Sequence, residues 1–201
     1  MNTSSPRPAG RLRRLLRDAR GVAAVEFALV LPVLIAFYLG LNEVQPGLSI
    51  KRKLTLATRT LADLTTRSGT LTTSDLKSIF GATVAVMRPY DNAGTTQMVI
   101  TSIGVAPKTS GSGYTGTVKW SCAWPPNAKP AAGDLQKRSG SYPVPPSFQN
   151  DSTSSFILVE TQYPYTPNIG YTIMGTIQLQ DSLPWPVRDA KEVQSPGVCP
   201  T

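Results

Sequence analysis

The sequence predicts an α+β protein. A long N-terminal helix, first transmembrane and then amphipathic, precedes an extracytoplasmic domain with a mostly antiparallel sheet of about four strands. Three observations carry this expectation. Val22 to Leu41 are 20 consecutive residues with Glu26 as the one charge, enough to cross a hydrocarbon core roughly 30 Å thick at about 1.5 Å per residue. Ile50, Leu54, Ala57, Leu61 and Leu64 then recur at spacings of 4, 3, 4 and 3, one apolar stripe on a helix. Beyond them, β-rich runs alternate with Gly-, Pro- and Ser-rich links. The expected division is a basic cytoplasmic leader at 1–21, a transmembrane helix at 22–44, an amphipathic stem at 45–68 and the domain at 69–201.

Composition narrows the function. The net charge is +8, but Arg7, Arg11, Arg13, Arg14, Arg17 and Arg20 against Asp18 supply +5 of it before the apolar run begins. Arginines in that position mark the cytoplasmic side of a membrane helix, and no nucleic-acid-binding module accompanies them. The chain has no histidine, which removes His-based triads, His metal sites and His proton shuttles. There is no phosphate loop, no G-x-S-x-G and no metal-ligand cluster. The expectation is a non-enzyme with no cofactor, no small-molecule substrate and no nucleic-acid partner.

The apolar run is too long for the core of a secretory signal, and Asn42-Glu43-Val44-Gln45-Pro46 after it offers no small-x-small cleavage site. A retained membrane segment is expected. Pro32, ten residues in, removes one backbone hydrogen bond and is expected to kink the helix. Glu26 needs a reason, because an acid at mid-helix in hydrocarbon costs roughly 3 kcal/mol and less near an end. Either it is hydrated or protonated one turn below the interface, or it meets a positive group on a partner.

Arg20-Gly21-Val22-Ala23-Ala24-Val25-Glu26-Phe27-Ala28-Leu29-Val30-Leu31-Pro32 resembles the processing site of type IV prepilins, in which a basic leader ends in Gly and a Glu stands fifth after the cut. It is most similar to the TadE-like family of tight-adherence (Flp-type) pilus assembly proteins. Gly40-Leu41-Asn42-Glu43 fits the family's far membrane edge. A lone G-x₄-E is weak; the basic flank, the acid, Phe27, Pro32 and the apolar run together are specific.

The resemblance implies a pilin-like layout and a minor pseudopilin: structural, single-pass, in the bacterial inner membrane with its C-terminal domain periplasmic, and pilus-associated after processing. It implies cleavage at Gly21–Val22 by a prepilin peptidase, and helix pairing through Glu26, Phe27, Pro32 and Glu43 with other pilins or pseudopilins and the assembly machinery. Members of the family differ in whether they are cut. The alternative is an uncut, permanently anchored envelope binding protein using the Pro125–Ser147 link as its contact surface.

The remaining elements follow in order. Leu48 to Thr66 should be the stem helix, ended by Ser68-Gly69, its stripe packing on the domain. Thr73 or Ser74 should cap a short helix over Asp75 to Phe80 that either stops at Gly81 or runs to Arg88-Pro89. Asp91 to Gly94 reads as a turn. Strands are expected at Gln97–Val105, Gly116–Trp124, Ser155–Tyr163 and Tyr171–Gln180, with Val118, Trp120 and Cys122 on one face. Pro125 to Ser147 reads as a long surface loop, Asn150-Asp151-Ser152 fits a glycosylation acceptor, and Glu160 and Asp181 read as solvated acids. Cys122 and Cys199, the two cysteines, suit one disulfide in an exported domain, tying back an extended tail.

Overall fold

The computed structural model describes residues 21–91, 94–126, 135–150, 154–168, 175–188 and 190–200. The basic leader at 1–20, the centre of the Asp91–Gly94 turn and Asp151-Ser152 lie outside the described residues. The chain divides after Val44 into two compact units.

One helix, α1, runs Val22–Thr66 without interruption. It passes through Pro32, Pro46 and Gly47, so the expected transmembrane and stem segments are a single element. Up to Val44 its large apolar side chains are exposed, and it is long and apolar enough to cross a membrane. From Ile50 its stripe enters a core: Ile50, Leu54, Ala57, Leu61 and Ala62 are buried. The stem groups with the globular unit, Gln45–Thr201. Thr58, Thr65 and Thr66 share the buried face and satisfy their hydroxyls by donating to carbonyls four residues back. Thr58 Oγ1 also meets Thr161 Oγ1 at 2.6 Å, tying helix to sheet.

Helix α2, Thr73–Met87, starts from Thr72, one residue earlier than expected. Thr72 and Asp75 form a reciprocal capping box. Gly81 does not stop the helix: Leu76, Phe80, Thr83 and Met87 are buried along one face, and packing outweighs the modest cost of an interior glycine.

Strands β1 (Gln97–Pro107), β2 (Tyr114–Trp124), β3 (Ser141–Tyr142), β4 (Ser155–Tyr165) and β5 (Ile177–Pro186) form one sheet in the order β3-β2-β1-β4-β5. Every paired neighbour is antiparallel. Four strands are long, as expected; the fifth is two residues of the 125–147 link.

One sheet face packs on α1 and α2 through Met98, Ile100, Trp120, Cys122, Ile157 and Val159. The other carries Ile103, Phe156 and Leu158 under Tyr142, Val144 and Phe148. Tyr142 and Val144 of the link thus pack over the sheet, while 136–141 are exposed as expected of a surface loop. Its residues 127–134 lie outside the described residues.

Two further corrections come from register. Ser102 pairs with Trp120 but Ile103 with Val118, so Lys119 is an extra residue in β2. Val118 therefore sits against the cluster of Ile103 and Phe156, on the opposite face from Trp120 and Cys122. Lys119 lies across Gly104, where a Cβ would come within 2.5 Å of its Cε. Of the strand expected at Tyr171–Gln180, residues 171–174 lie outside the described residues; β5 runs Ile177–Pro186, past the expected end. It is an edge strand, and Pro184 and Pro186 are tolerated there because one side of its backbone has no neighbouring strand. Lys51 Nζ donates to the Gln180 carbonyl, blunting part of that edge. Likewise Pro164 does not break β4, since the ladder of β1 ends at the Gln97–Gln162 pair.

Asp91 anchors the start of β1. It is 1 % exposed and accepts from Thr95 N at 2.7 Å, Thr95 Oγ1 at 3.2 Å and Thr96 N at 2.9 Å. Burial pushes its carboxyl up, but the hydrogen bonds from Thr96 and Thr95 outweigh that and leave it below the ordinary value. Its contribution is therefore complete above the unfolded-state value of about 3.9 and is lost as pH falls through the lower folded value. Asp91→Asn should cost about 1–2 kcal/mol at pH 7. Denaturant melts at pH 7 and pH 2.5 check the sign, because the gap between variant and wild type should narrow in acid.

Candidate functional site

The processing and assembly residues expected from the sequence lie at the start and along the first half of α1, from Gly21 to Glu43. Gly21 is the residue before the helix, and nothing stands within 4 Å of where its Cβ would be. Val22 is 52 % exposed. Glu26, exposed and one turn further on, shares the face of Val22 and Val30 by the i, i+4 rule. Phe27 is 59 % exposed on the adjacent face. Pro32 is held within the helix. Glu43 is half-buried near the end of the first unit. A helix apolar all round, with its side chains unburied, requires a lipid or protein environment.

The two cysteines are bonded, with Cα atoms 5.5 Å apart and 77 residues between them in sequence. The bridge fastens the C-terminal segment across the helix-facing side of the sheet. Trp120 Nε1 donates to Val193 O at 2.9 Å and Ser155 Oγ to Lys191 O at 2.6 Å. Gln194 N donates to Gly69 O at 2.9 Å, and Val193 is fully buried. Asp63 joins this segment to the end of α1, contacting Arg67 at 2.6 Å and Arg188 at 2.9 Å. The hydrogen bond from Arg67 holds its carboxyl below the ordinary range, with Arg188 adding to the effect against some desolvation.

Glu160 was not legible as a paired acid. It is 6 % exposed, and its two oxygens accept from Arg138 Nε and Nη2, each at 2.5 Å. That bond raises the already high pKa of the guanidinium, with burial opposing. The available signal was an acid on the same strand face as Phe156 and Leu158. Arg138 also lies over the Tyr142 ring, 5.3 Å from its centroid. A recess of about 350 Å³ beside the pair is lined by Val118, Leu135, Lys137, Ser139 and Tyr142 among others. Asp181, the other acid read as solvated, pairs with Lys51 at 3.5 Å. Among the described residues no group of three or more His, Cys, Asp or Glu side chains is placed to hold a metal ion.

No curated protein and no solved structure matches the chain significantly. A family model does, and it falls on α1. The TadE-like protein family matches residues 21–62, from Gly21 through the exposed apolar turns and the buried stripe to Ala62, and over that segment the chain is similar to TadE-like proteins.

Proposed function

We propose that the protein is a minor pseudopilin-like component in assembly of a tight-adherence pilus, structural rather than catalytic. The observation that carries this reading is the TadE-like match at 21–62, on a helix whose first half is apolar and unburied. The helix crosses the bacterial inner membrane once, with the arginine-rich leader cytoplasmic and the globular unit periplasmic. A prepilin peptidase removes the leader at Gly21–Val22. The new amine on Val22 then stands at the helix start, and Glu26 pairs with the amine of a neighbouring subunit. At 4 Å and an effective dielectric of 20 such a pair attracts by about 4 kcal/mol. Phe27, Pro32 and Glu43 shape the same helix-pairing surface.

The test is the mature N-terminus. Mass and terminal sequencing should give Val22, dependent on an active prepilin peptidase. A chain that keeps its leader beside an active peptidase overturns the processing step and favours an uncut, anchored binding protein. Glu26→Ala should insert and be cut normally but lower pilus assembly about tenfold or more, consistent with losing at least 1.4 kcal/mol. Unchanged piliation in that variant removes the pairing role.

A further inference from the structure

The outward face of α1 within the globular unit carries a pattern that neither packing nor anchoring uses. Leu48 and Leu56 are 54 % and 55 % exposed. At 100° per residue they lie with Arg52, Thr55 and Arg59 on the side opposite Leu54, Ala57 and Leu61. A shallow groove of about 270 Å³ is lined by Lys51, Arg52, Thr55, Leu56 and Arg59.

The cations differ sharply in their engagement. Lys51 is held by Asp181 and the Gln180 carbonyl, and Lys53 by the Arg88 carbonyl. Arg67, Arg138 and Arg188 are held by Asp63, Glu160 and Asp63. The side chains of Arg52 and Arg59 have no hydrogen-bond or ion-pair partner among the described residues; the same holds for single lysines such as Lys77 and Lys108, but Arg52 and Arg59 stand on one helix face beside exposed leucines. The face is a ladder of two leucines and two unneutralised guanidinium groups, about 16 Å long along the helix axis.

We propose that this face docks an α-helix of a different protein, one presenting branched apolar residues and acids at i, i+4 and i+7. The charge requires an acidic partner, and the axial run of the ladder fits a helix lying alongside. A second copy using the same face would set Arg52 and Arg59 against themselves. Among the described residues other faces of this globular unit serve no better: Asp63, Asp75, Asp91, Glu160 and Asp181 are engaged within the chain, and the half-buried Glu192 is a single acid against two guanidinium groups. Two leucines are too little apolar surface to bed a helix in a bilayer. The proposal does not depend on processing at Gly21.

Photo-cross-linking in intact cells tests it. Benzoylphenylalanine is placed at position 56 of the full-length chain, with position 77 on the exposed side of α2 as reference. The expected adduct is to one protein, within a helical segment carrying acids at the stated spacing. Arg52→Glu with Arg59→Glu should reduce that adduct at least tenfold while leaving the melting temperature unchanged. Acid-to-lysine changes in the cross-linked segment should then restore it. An adduct with lipid, an adduct with a second copy of this chain, or a yield no higher than at position 77 would each overturn the proposal.

Discussion

Replacing Cys122 and Cys199 by serine should lower the stability of the globular unit by about 4 kcal/mol, the largest loss expected from removing one cross-link. The bridge closes a loop of 77 residues, and closure of a loop that long restricts the unfolded chain by about that amount. The bonded ends are not interchangeable in their surroundings. Cys122 is buried in the sheet among Trp120 and Val159, so serine there also leaves a hydroxyl in an apolar setting. Cys199 is half-buried at the end of the C-terminal segment. Cys199→Ser therefore isolates the loop-closure contribution, and Cys122→Ser should cost more. Denaturant melts of the full chain in detergent micelles, with and without reductant, make the comparison. Reductant should lower wild type toward Cys199→Ser and leave both variants unmoved. Equal melts for wild type and Cys199→Ser would show that the polar contacts of Lys191, Val193 and Gln194 hold the segment without the bridge.

Phe80→Ala should cost about 3–5 kcal/mol, the range for emptying a buried aromatic site. Phe80 is fully buried in α2. Its ring stacks on Trp124 with centroids 5.6 Å apart, in the cluster that joins α1, α2 and the sheet. The surroundings have little means of collapsing into the gap, because Leu61 and Leu76 in the same cluster belong to helices and Trp124 to a paired strand. Phe80→Leu should recover more than half of the loss, and the intensity of tryptophan fluorescence should change in Phe80→Ala. A cost below about 1 kcal/mol would mean that α2 packs independently of this contact.

The membrane-length run, the stem stripe, the four long strands and the processing-type motif could all be read before folding. Each is carried by a local pattern: twenty apolar residues, a 4-3-4-3 spacing, a period of two, a glycine five residues before an acid. These patterns survive in one dimension because they reflect geometry within a single element.

The missed features depend on neighbours distant in sequence. Glu160 is a buried, paired acid because Arg138 arrives from the link 22 residues earlier, and no local spacing announces that meeting. Val118 changes face because Lys119 is an extra residue against β1. Pro164 and Pro184 remain inside strands because of which side of each strand has a neighbour, and Gly81 remains inside α2 because Phe80 and Thr83 are buried beside it. The unneutralised Arg52 and Arg59 were visible as letters, yet their place beside the exposed Leu48 and Leu56, with Asp181, Asp63 and Glu160 assigned elsewhere, is set by the fold. Local sequence sets which element forms and which face is apolar. Partner choice for charges, strand edges and links is settled when long-range contacts compete for them, and that competition exists only in the folded chain.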